Sequence, residues 1–466
     1  MEASFQQGLP NRRALQEGAM SSLRKSSEAV RAAFSNRKCL IQRQWPRLLW
    51  ILAGLLFFLF CGDGDMASAG ERFGLQGIGD LGLTDTGIPY ANYPSATRQT
   101  NLNGQLILLG SLRITDSLYA FYEGRIYHVE GLAGSDPRIQ KTYEYPVNQA
   151  YIRHNLKVPG GLNIQVGKFG TPFGGFITRN YPSQNPLIGP PLIYSYRTAI
   201  SASHVPQDPK DLLSYRYRAR VPQIYAYGWL PLVNYAYPTG IMVYGNPKRF
   251  DYRFAVVNSS VSNPLNLDQP GQRAQWIAGG GWTIVPGLRL GTSLAEGPYL
   301  NGSVSSQLPV GTSLCDYTQR ALDFDLEYTL HHLEMYGELL FTNFKVPNIN
   351  QRLGATGYYM ELKYNWAPRF YTALRWNQIF FDRLRASAYS PYGEPTDLEL
   401  NNAAGVRFDY NVNSLEVGLG FRITGKLLTK VSLLHDRTLG GTDPRNNVFA
   451  AQLVYSFDLI DLLRIR

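Results

Sequence analysis

Residues 358–366 read Tyr-Tyr-Met-Glu-Leu-Lys-Tyr-Asn-Trp, and the even-numbered side chains are all large and apolar. Tyr358, Met360, Leu362, Tyr364 and Trp366 fall on one side of an extended chain, and Tyr359, Glu361, Lys363 and Asn365 on the other. Side chains alternate across a strand with a period of two, whereas a helix brings i, i+3 and i+4 together. The stretch reads as a strand with one apolar and one polar face. The alternation recurs. Leu322, Phe324, Leu326 and Tyr328 oppose Asp323, Asp325 and Glu327, and Val406, Phe408 and Tyr410 oppose Arg407, Asp409 and Asn411. Leu415, Val417, Leu419, Phe421 and Ile423 oppose Glu416, Gly418, Gly420 and Arg422.

Working outward, about 16 such segments are expected. They lie near 102–113, 117–130, 146–156, 161–169, 238–246, 250–258, 272–285, 288–296, 317–330, 333–344, 354–366, 369–381, 402–412, 414–423, 427–437 and 446–457. Further strands in 73–83 or 215–237 would bring the number to 18. The connections alternate in length. Short ones fall near Thr115-Asp116, Pro159-Gly160-Gly161, Pro247-Lys248, Pro286-Gly287, His331-His332 and Pro368; the longest covers 170–237. The alternation breaks once, at Thr424-Gly425-Lys426, where a long loop is due.

A soluble sandwich also alternates apolar and polar faces. Short turns on one side, long loops on the other and aromatic residues ending the apolar faces belong to a transmembrane barrel. In hydrocarbon the sheet must close, because an open edge leaves amides unpaired. The expected fold is therefore all-β: a closed antiparallel transmembrane β-barrel of 16–18 strands, wide enough for an aqueous channel.

Composition agrees. The 466 residues are 44% hydrophobic and 13% aromatic but only 17% charged, against about 25% charged in a typical soluble domain. That excludes disorder. Three cysteines do not make a disulfide scaffold. A mean hydropathy of −0.21, with no run of 18 apolar residues, excludes a helical bundle.

Residues 48–60, LLWILAGLLFFLF, have the length of a signal-peptide core, with Arg37, Lys38, Arg43 and Arg47 before them and Ala67-Ser68-Ala69 after. Cleavage is expected after Ala69, and Met20 is an alternative start for the long basic region. Bulky Leu59 and Phe60 before Cys61 argue against a lipoprotein. Removal of 1–69 leaves 36 basic and 30 acidic residues, a formal +6 instead of +10, and a single cysteine, Cys315. Much of the apparent basicity thus leaves with the leader, and no nucleic-acid partner is expected. The expected organisation is a leader (1–69), an N-terminal segment (70–101), the barrel (102–457) and a tail (458–466).

Val166-Gly167-Lys168-Phe169-Gly170-Thr171-Pro172-Phe173-Gly174 resembles the Gly-basic-Phe-x-x-Pro-Phe-Gly element at a strand end of Gram-negative outer-membrane porins, in particular the phosphate-selective porin family. The resemblance implies a 16-stranded barrel, an outer-membrane location and a homotrimer. Such barrels finish on an aromatic residue; here Phe457 would take that role, with Asp-Leu-Ile-Asp-Leu-Leu-Arg-Ile-Arg beyond it.

The loop 170–237, rich in Pro, Tyr and Asn, is the candidate to fold inward and narrow the pore; an external cap is the alternative. If extended, Tyr215–Arg220 would place Arg216, Arg218 and Arg220 on one side, as a ladder for anions. Arg179 and Arg197 in the same loop join them as pore-lining candidates. The plainer reading is a charged loop edge. Asp323, Asp325 and Glu327, with Glu334 and Glu338 across the turn, form an acidic patch that could oppose the arginines and set a transverse field. Local pairing of these acids with Lys363, Arg375 or Arg320 is the alternative.

The function expected is a passive, water-filled channel for small hydrophilic solutes, with a lean toward anions, phosphate among them. Its partners are outer-membrane lipid and the solutes themselves, and no cofactor or metal is expected. HExxH, GxSxG, Walker and paired CxxC motifs are missing from the sequence, so no enzyme is expected. Two other classes compete: a non-conducting barrel acting as scaffold or adhesin, and a barrel hydrolase, which needs a Ser–His–acid set.

Overall fold

A computed structural model describes residues 73–86, 100–129, 143–144, 147–218, 229–234, 237–258, 260–264, 273–384, 405–439 and 445–459. The leader with its cleavage point and the tail beyond residue 459 lie outside the described residues.

Sixteen long strands run in chain order: β1 (Phe73–Thr86), β2 (Thr100–Arg113), β3 (Leu118–Val129), β4 (Val147–Leu156), β5 (Leu162–Lys168), β6 (Thr239–Gly245), β7 (Phe250–Asn258) and β8 (Ala274–Val285). Then come β9 (Leu288–Pro298), β10 (Thr318–Leu330), β11 (Leu333–Lys345), β12 (Arg352–Ala367), β13 (Phe370–Phe381), β14 (Asn411–Arg422), β15 (Leu427–Leu439) and β16 (Arg445–Asp458). Each pairs antiparallel with its neighbours in sequence, and a short piece, Tyr143–Glu144, extends the ladder beside β3. β1 closes the ring against β16, from Gln76 opposite Asp458 to Thr86 opposite Val448. Closure is what satisfies every strand's N–H and C=O groups in lipid.

Two expectations are corrected. Of the strand expected at 402–412, the described residues 405–410 do not form a wall strand; only Asn411 and Val412 do, as the start of β14. Among the described residues, Val406–Arg407 pairs only with Arg383–Leu384, apart from the barrel sheet. There Gly405 has φ +68°, and a Cβ on it would lie 2.1 Å from the Leu384 carbonyl oxygen. The missing strand is β1, so the barrel starts at Phe73 and not at residue 102. With this exchange the total stays at 16, and 423–426 becomes a short turn in its proper place. Long and short connections then alternate without exception. The tight turns are backbone-driven: Gly160, Gly161, Lys248, Gly287 and His331 all have positive φ.

Period-two sorting is visible in solvent exposure. Along β10, Phe324 is 47% exposed on the outer face, while its neighbour Asp323 is fully buried inside. Along β14, Leu415, Val417, Leu419 and Phe421 are exposed outside, and Ser414 and Glu416 are buried inside. Aromatic rings edge the outer face at the short-turn end (Phe250, Trp282, Trp366, Phe370, Phe421, Tyr455) and again toward the long-loop end (Trp276, Phe380, Phe449). Ten residues separate Phe370 from Phe380 on one strand. At about 3.4 Å per residue and a tilt of about 40°, they stand about 26 Å apart along the barrel axis, matching an apolar band about 25 Å tall. The outer surface is therefore built to face lipid, and the buried core lies inside the barrel.

Candidate constriction inside the barrel

The inside is occupied by the chain between β5 and β6. β5 is only seven residues long, and the amide of Phe169 bonds the Pro238 carbonyl at 3.1 Å, so the insertion leaves and returns through a narrow neck. The Val166–Gly174 element sits at this strand end. Gly174 has φ +73°, and a Cβ there would lie 2.4 Å from the Tyr194 Oη and 2.9 Å from a Glu338 oxygen. Only glycine lets the chain turn inward so close to the wall. Beyond it come a 3₁₀ turn (Phe176–Arg179), α1 (Leu192–Ser195) and α2 (Pro209–Arg218). Phe173, Phe176, Ile193, Tyr194, Leu212 and Trp229 pack into one buried cluster with inward-facing wall residues such as Ala255, Ile277 and Leu340. On the other side, Leu187 joins Ile78, Ile107, Tyr371, Leu428 and Val454. The inserted segment thus reaches opposite walls.

Polar wall side chains hold it by its backbone. On β7, Arg253 donates to the carbonyls of Pro172 (2.5 Å) and Gly174 (3.3 Å). On β15, the Lys430 ammonium donates to the carbonyls of Pro182, Asn185 and Leu187 at 2.9–3.1 Å. Arg375 on β13 is fully buried; it pairs with Glu361 (2.6 Å) and Glu416 (3.1 Å) and donates to the Gly189 carbonyl (3.1 Å). Carboxylates do the reverse. Glu416 accepts the Ile188 amide at 3.3 Å, and Asp409 accepts the Ala199 amide at 2.7 Å. A coil has backbone groups without a ladder, and when buried they need such partners.

The sequence candidates fall as follows. Arg179 reaches the lumen: it pairs with Glu361 at 2.5 Å, donates to the Tyr359 hydroxyl at 3.0 Å and lies 3.7 Å from the centre of the Tyr336 ring. Arg197 donates to the Trp229 carbonyl at 3.2 Å, within the insertion. The extended Arg216–Arg218–Arg220 ladder does not form. Residues 209–218 are helical, so positions 216 and 218 stand about 200° apart around the axis. Arg216 lies over the Tyr410 ring, and Arg220 is outside the described residues. The helix had a legible start: Asp208 caps it, accepting the Asp211 amide at 2.8 Å, with Pro209 as its first residue.

The acidic patch is brought together, but beneath the insertion instead of facing open water. Glu338 accepts hydrogen bonds from Tyr194, from Tyr359 (2.8 Å) and from the Gly175 amide (3.1 Å). Burial first, and then the Glu338 carboxylate, hold the Tyr194 hydroxyl well above the ordinary phenol range, so it stays a donor. Asp323 and Asp325 are buried beside Glu338; Asp325 pairs with Arg289 at 2.5 Å, and Glu327 lies 3.6 Å from the same guanidinium. Glu334 pairs with Lys363 at 2.7 Å, as the local-pairing reading has it. Arg320 pairs with Glu296 and Arg375 with Glu361 and Glu416, so neither answers this patch.

Sequence reasoning missed the anchors Arg253 and Lys430, and Arg289, which holds the wall acids Asp251 and Asp325, because single inward residues of a strand carry no motif. Of the hydrolase reading, the structure offers Ser201 and His204, 3.0 Å apart. Ser201 Oγ also accepts the amides of Ser203 and His204, which makes the pair a turn cap.

Two cavities lie below the insertion, toward the short turns. One, of about 330 Å³, is bordered by Arg179, Gln184, Asn185, Lys363 and Arg422. The other, of about 520 Å³, lies between Gly170–Tyr181 and the inner wall of β4–β7.

No known family matches the sequence, and no curated protein matches it. Among solved structures, the fold is similar to a loop-deleted form of OmpT, an outer membrane protein of Vibrio cholerae. The identity is 10% over 83% of this chain and 99% of that one, with a TM-score of 0.51. The outer membrane channel DcaP of Acinetobacter baumannii gives 10% identity over 84% and 99% of the two chains, with a TM-score of 0.49. OprB of Pseudomonas putida gives 15% over 83% and 94%, with a TM-score of 0.48. At these identities the likeness is one of fold: a closed, 16-stranded, porin-like barrel of the outer-membrane type.

Proposed function

We propose that the chain is a passive outer-membrane channel for small hydrophilic solutes, with the segment 169–238 as its built-in constriction. The observation that carries this reading is the way the inserted segment is held. Wall side chains from β7, β13 and β15 bond its backbone, while spaces of about 330 and 520 Å³ remain beneath it. A fixed, charge-lined narrowing selects solutes by size and polarity and needs no energy source or cofactor.

A lean toward anions, phosphate among them, is supported by the smaller cavity. Arg179, Lys363 and Arg422 converge there, and the first two have one acid each, Glu361 and Glu334. Arg422 has no acidic partner within salt-bridge distance among the described residues, which leaves the site one positive charge in excess. Arg179 keeps its proposed pore-lining role; Arg197, Arg216 and the acids Asp323, Asp325 and Glu338 belong to the packing of the insertion. A homotrimer is proposed on the porin resemblance, and the mass of the detergent-purified protein tests it.

The second reading is a sealed barrel used as a scaffold. It is favoured by Leu187, which carries the insertion to the β1–β2 wall. Conductance in a planar bilayer under a salt gradient separates the two. Stepwise openings with an anion-favouring reversal potential support the channel, and Arg422→Gln with Lys363→Gln then shifts that potential toward cations. Silence from protein whose heat-modifiable band shows it folded supports the sealed barrel.

A further inference from the structure

The larger cavity has a different chemistry from the rest of the lumen. Elsewhere, most inward arginines, lysines and carboxylates face one another or the backbone of the insertion. Here amides and phenols, Gln149, Asn163, Gln165, Asn246, Tyr181 and Tyr244, line the space beside the apolar Pro172, Ile177 and Met242. Two charged residues also border it, and both are engaged. Asp251 accepts two hydrogen bonds from Arg289, at 2.7 and 2.8 Å. Arg253 donates to Pro172, Gly174 and Ser293. The space therefore offers hydrogen bonds with no spare charge.

One amide in it is unspent. Gln165 is only 5% exposed, yet its side chain makes no hydrogen bond to any described residue. Its paired neighbour on β4, Arg153, turns aside and lies over the Tyr119 ring. One step along, Asn155 stands opposite Asn163, and its Oδ1 also has no partner among the described residues. Buried amides without a protein partner are met by water or by a ligand. An amide presents a donor and an acceptor side by side, the complement of a hydroxyl that does both. Phenol rings add flat apolar faces for C–H surfaces. A volume of about 520 Å³ lies within the usual range for a small-molecule pocket.

From these observations the geometry points to a binding subsite for a neutral polyhydroxylated solute, a sugar of mono- or disaccharide size, held by Gln165, Asn163 and Asn246 on its way through the barrel. The inference deepens the channel reading and rests on it. A charged solute has no reason to prefer this wall over the cavity at Arg179, Lys363 and Arg422. Binding here must be weak enough for release, as conduction requires.

The test uses sucrose as probe on the full chain, in two formats. Sucrose is titrated against ion current in planar bilayers, and detergent-folded protein is dialysed to equilibrium against labelled sucrose. The expected result is saturable block that potassium phosphate does not relieve. Gln165→Leu raises the half-blocking concentration about tenfold, the worth of about one buried hydrogen bond. Asn246→Ala, at an exposed turn position, raises it about threefold and decides alone if the Gln165 variant does not fold. A conducting channel with no saturable sucrose block, or with block that neither variant weakens, overturns the sugar site and leaves the channel reading standing. A folded protein with no ion current overturns the channel reading. Dialysis then decides the site: sucrose retained and lost in the variants upholds it, and no retention overturns it.

Discussion

The barrel wall and the segment inside it obey different rules. Along the wall, every second residue faces lipid, and local sequence decides which. In the insertion no period holds, yet Phe176, Ile193 and Tyr196 are as buried as any residue of a soluble core. The wall is stabilised by its closed ladder of backbone bonds. The insertion has little ladder of its own and borrows partners from the wall: Arg253, Arg375 and Lys430 spend their donors on its carbonyls. The comparison teaches that inward charge in such a barrel is not in itself a solute pathway. Much of it here is structural, and the solute-facing groups are the few left over.

Substitutions on each side sharpen this contrast. The largest loss is expected from Arg375→Ala. It leaves Glu416 buried without its cation, leaves Glu361 with Arg179 alone and frees the Gly189 carbonyl. Removing one partner of a buried pair costs about 3–5 kcal/mol. Urea unfolding in detergent, followed by the heat-modifiable band, measures it, and a looser insertion should also raise open-channel noise. Next comes the lipid face: Val417→Arg puts a charge where a 46% exposed apolar side chain meets hydrocarbon, at a cost of about 2–4 kcal/mol near the midplane. That variant should assemble poorly yet leave unit conductance unchanged in the fraction that inserts. Gly174→Ala should cost about 1–3 kcal/mol through its positive φ and the contact with Tyr194. It acts on the insertion, so conductance should change before the barrel unfolds. Smallest is Tyr194→Phe, which removes one of three hydrogen bonds to Glu338, about 0.5–1.5 kcal/mol; the midpoint of the same urea titration reads it.

The wall was legible because its code is local. Fifteen strands follow from alternation and turn residues, among them 352–367 and 411–422 within a few residues of their observed ends. β1 hid because Gly77 and Gly79 interrupt its outer apolar face of Phe73, Leu75, Leu81 and Leu83, while Gly74 and Gly82 thin the inner one. Residues 405–410 misled in the opposite way. Val406, Phe408 and Tyr410 alternate, but Asp409 is bent inward to bind Ala199 and Tyr196 of the insertion. The arginine row failed where a cap was overlooked: Asp208-Pro209 with Asp211 starts a helix. Of the site, Arg179 and the clustering of Asp323, Asp325 and Glu338 were legible. What Glu338 would be used for was not, because the Gly175 amide and the Tyr194 hydroxyl that donate to it come from more than a hundred positions away.

The central claim is that the insertion sets the pore. The amide of Phe169 bonds the Pro238 carbonyl, so the neck can be bridged when residues 171–233 are replaced by a short Gly-Ser linker. Single-channel conductance of this variant, beside the full chain, is the most direct test. A several-fold rise in conductance with loss of charge selectivity is the predicted result. Unchanged conductance and selectivity in a folded, inserted barrel would contradict the account.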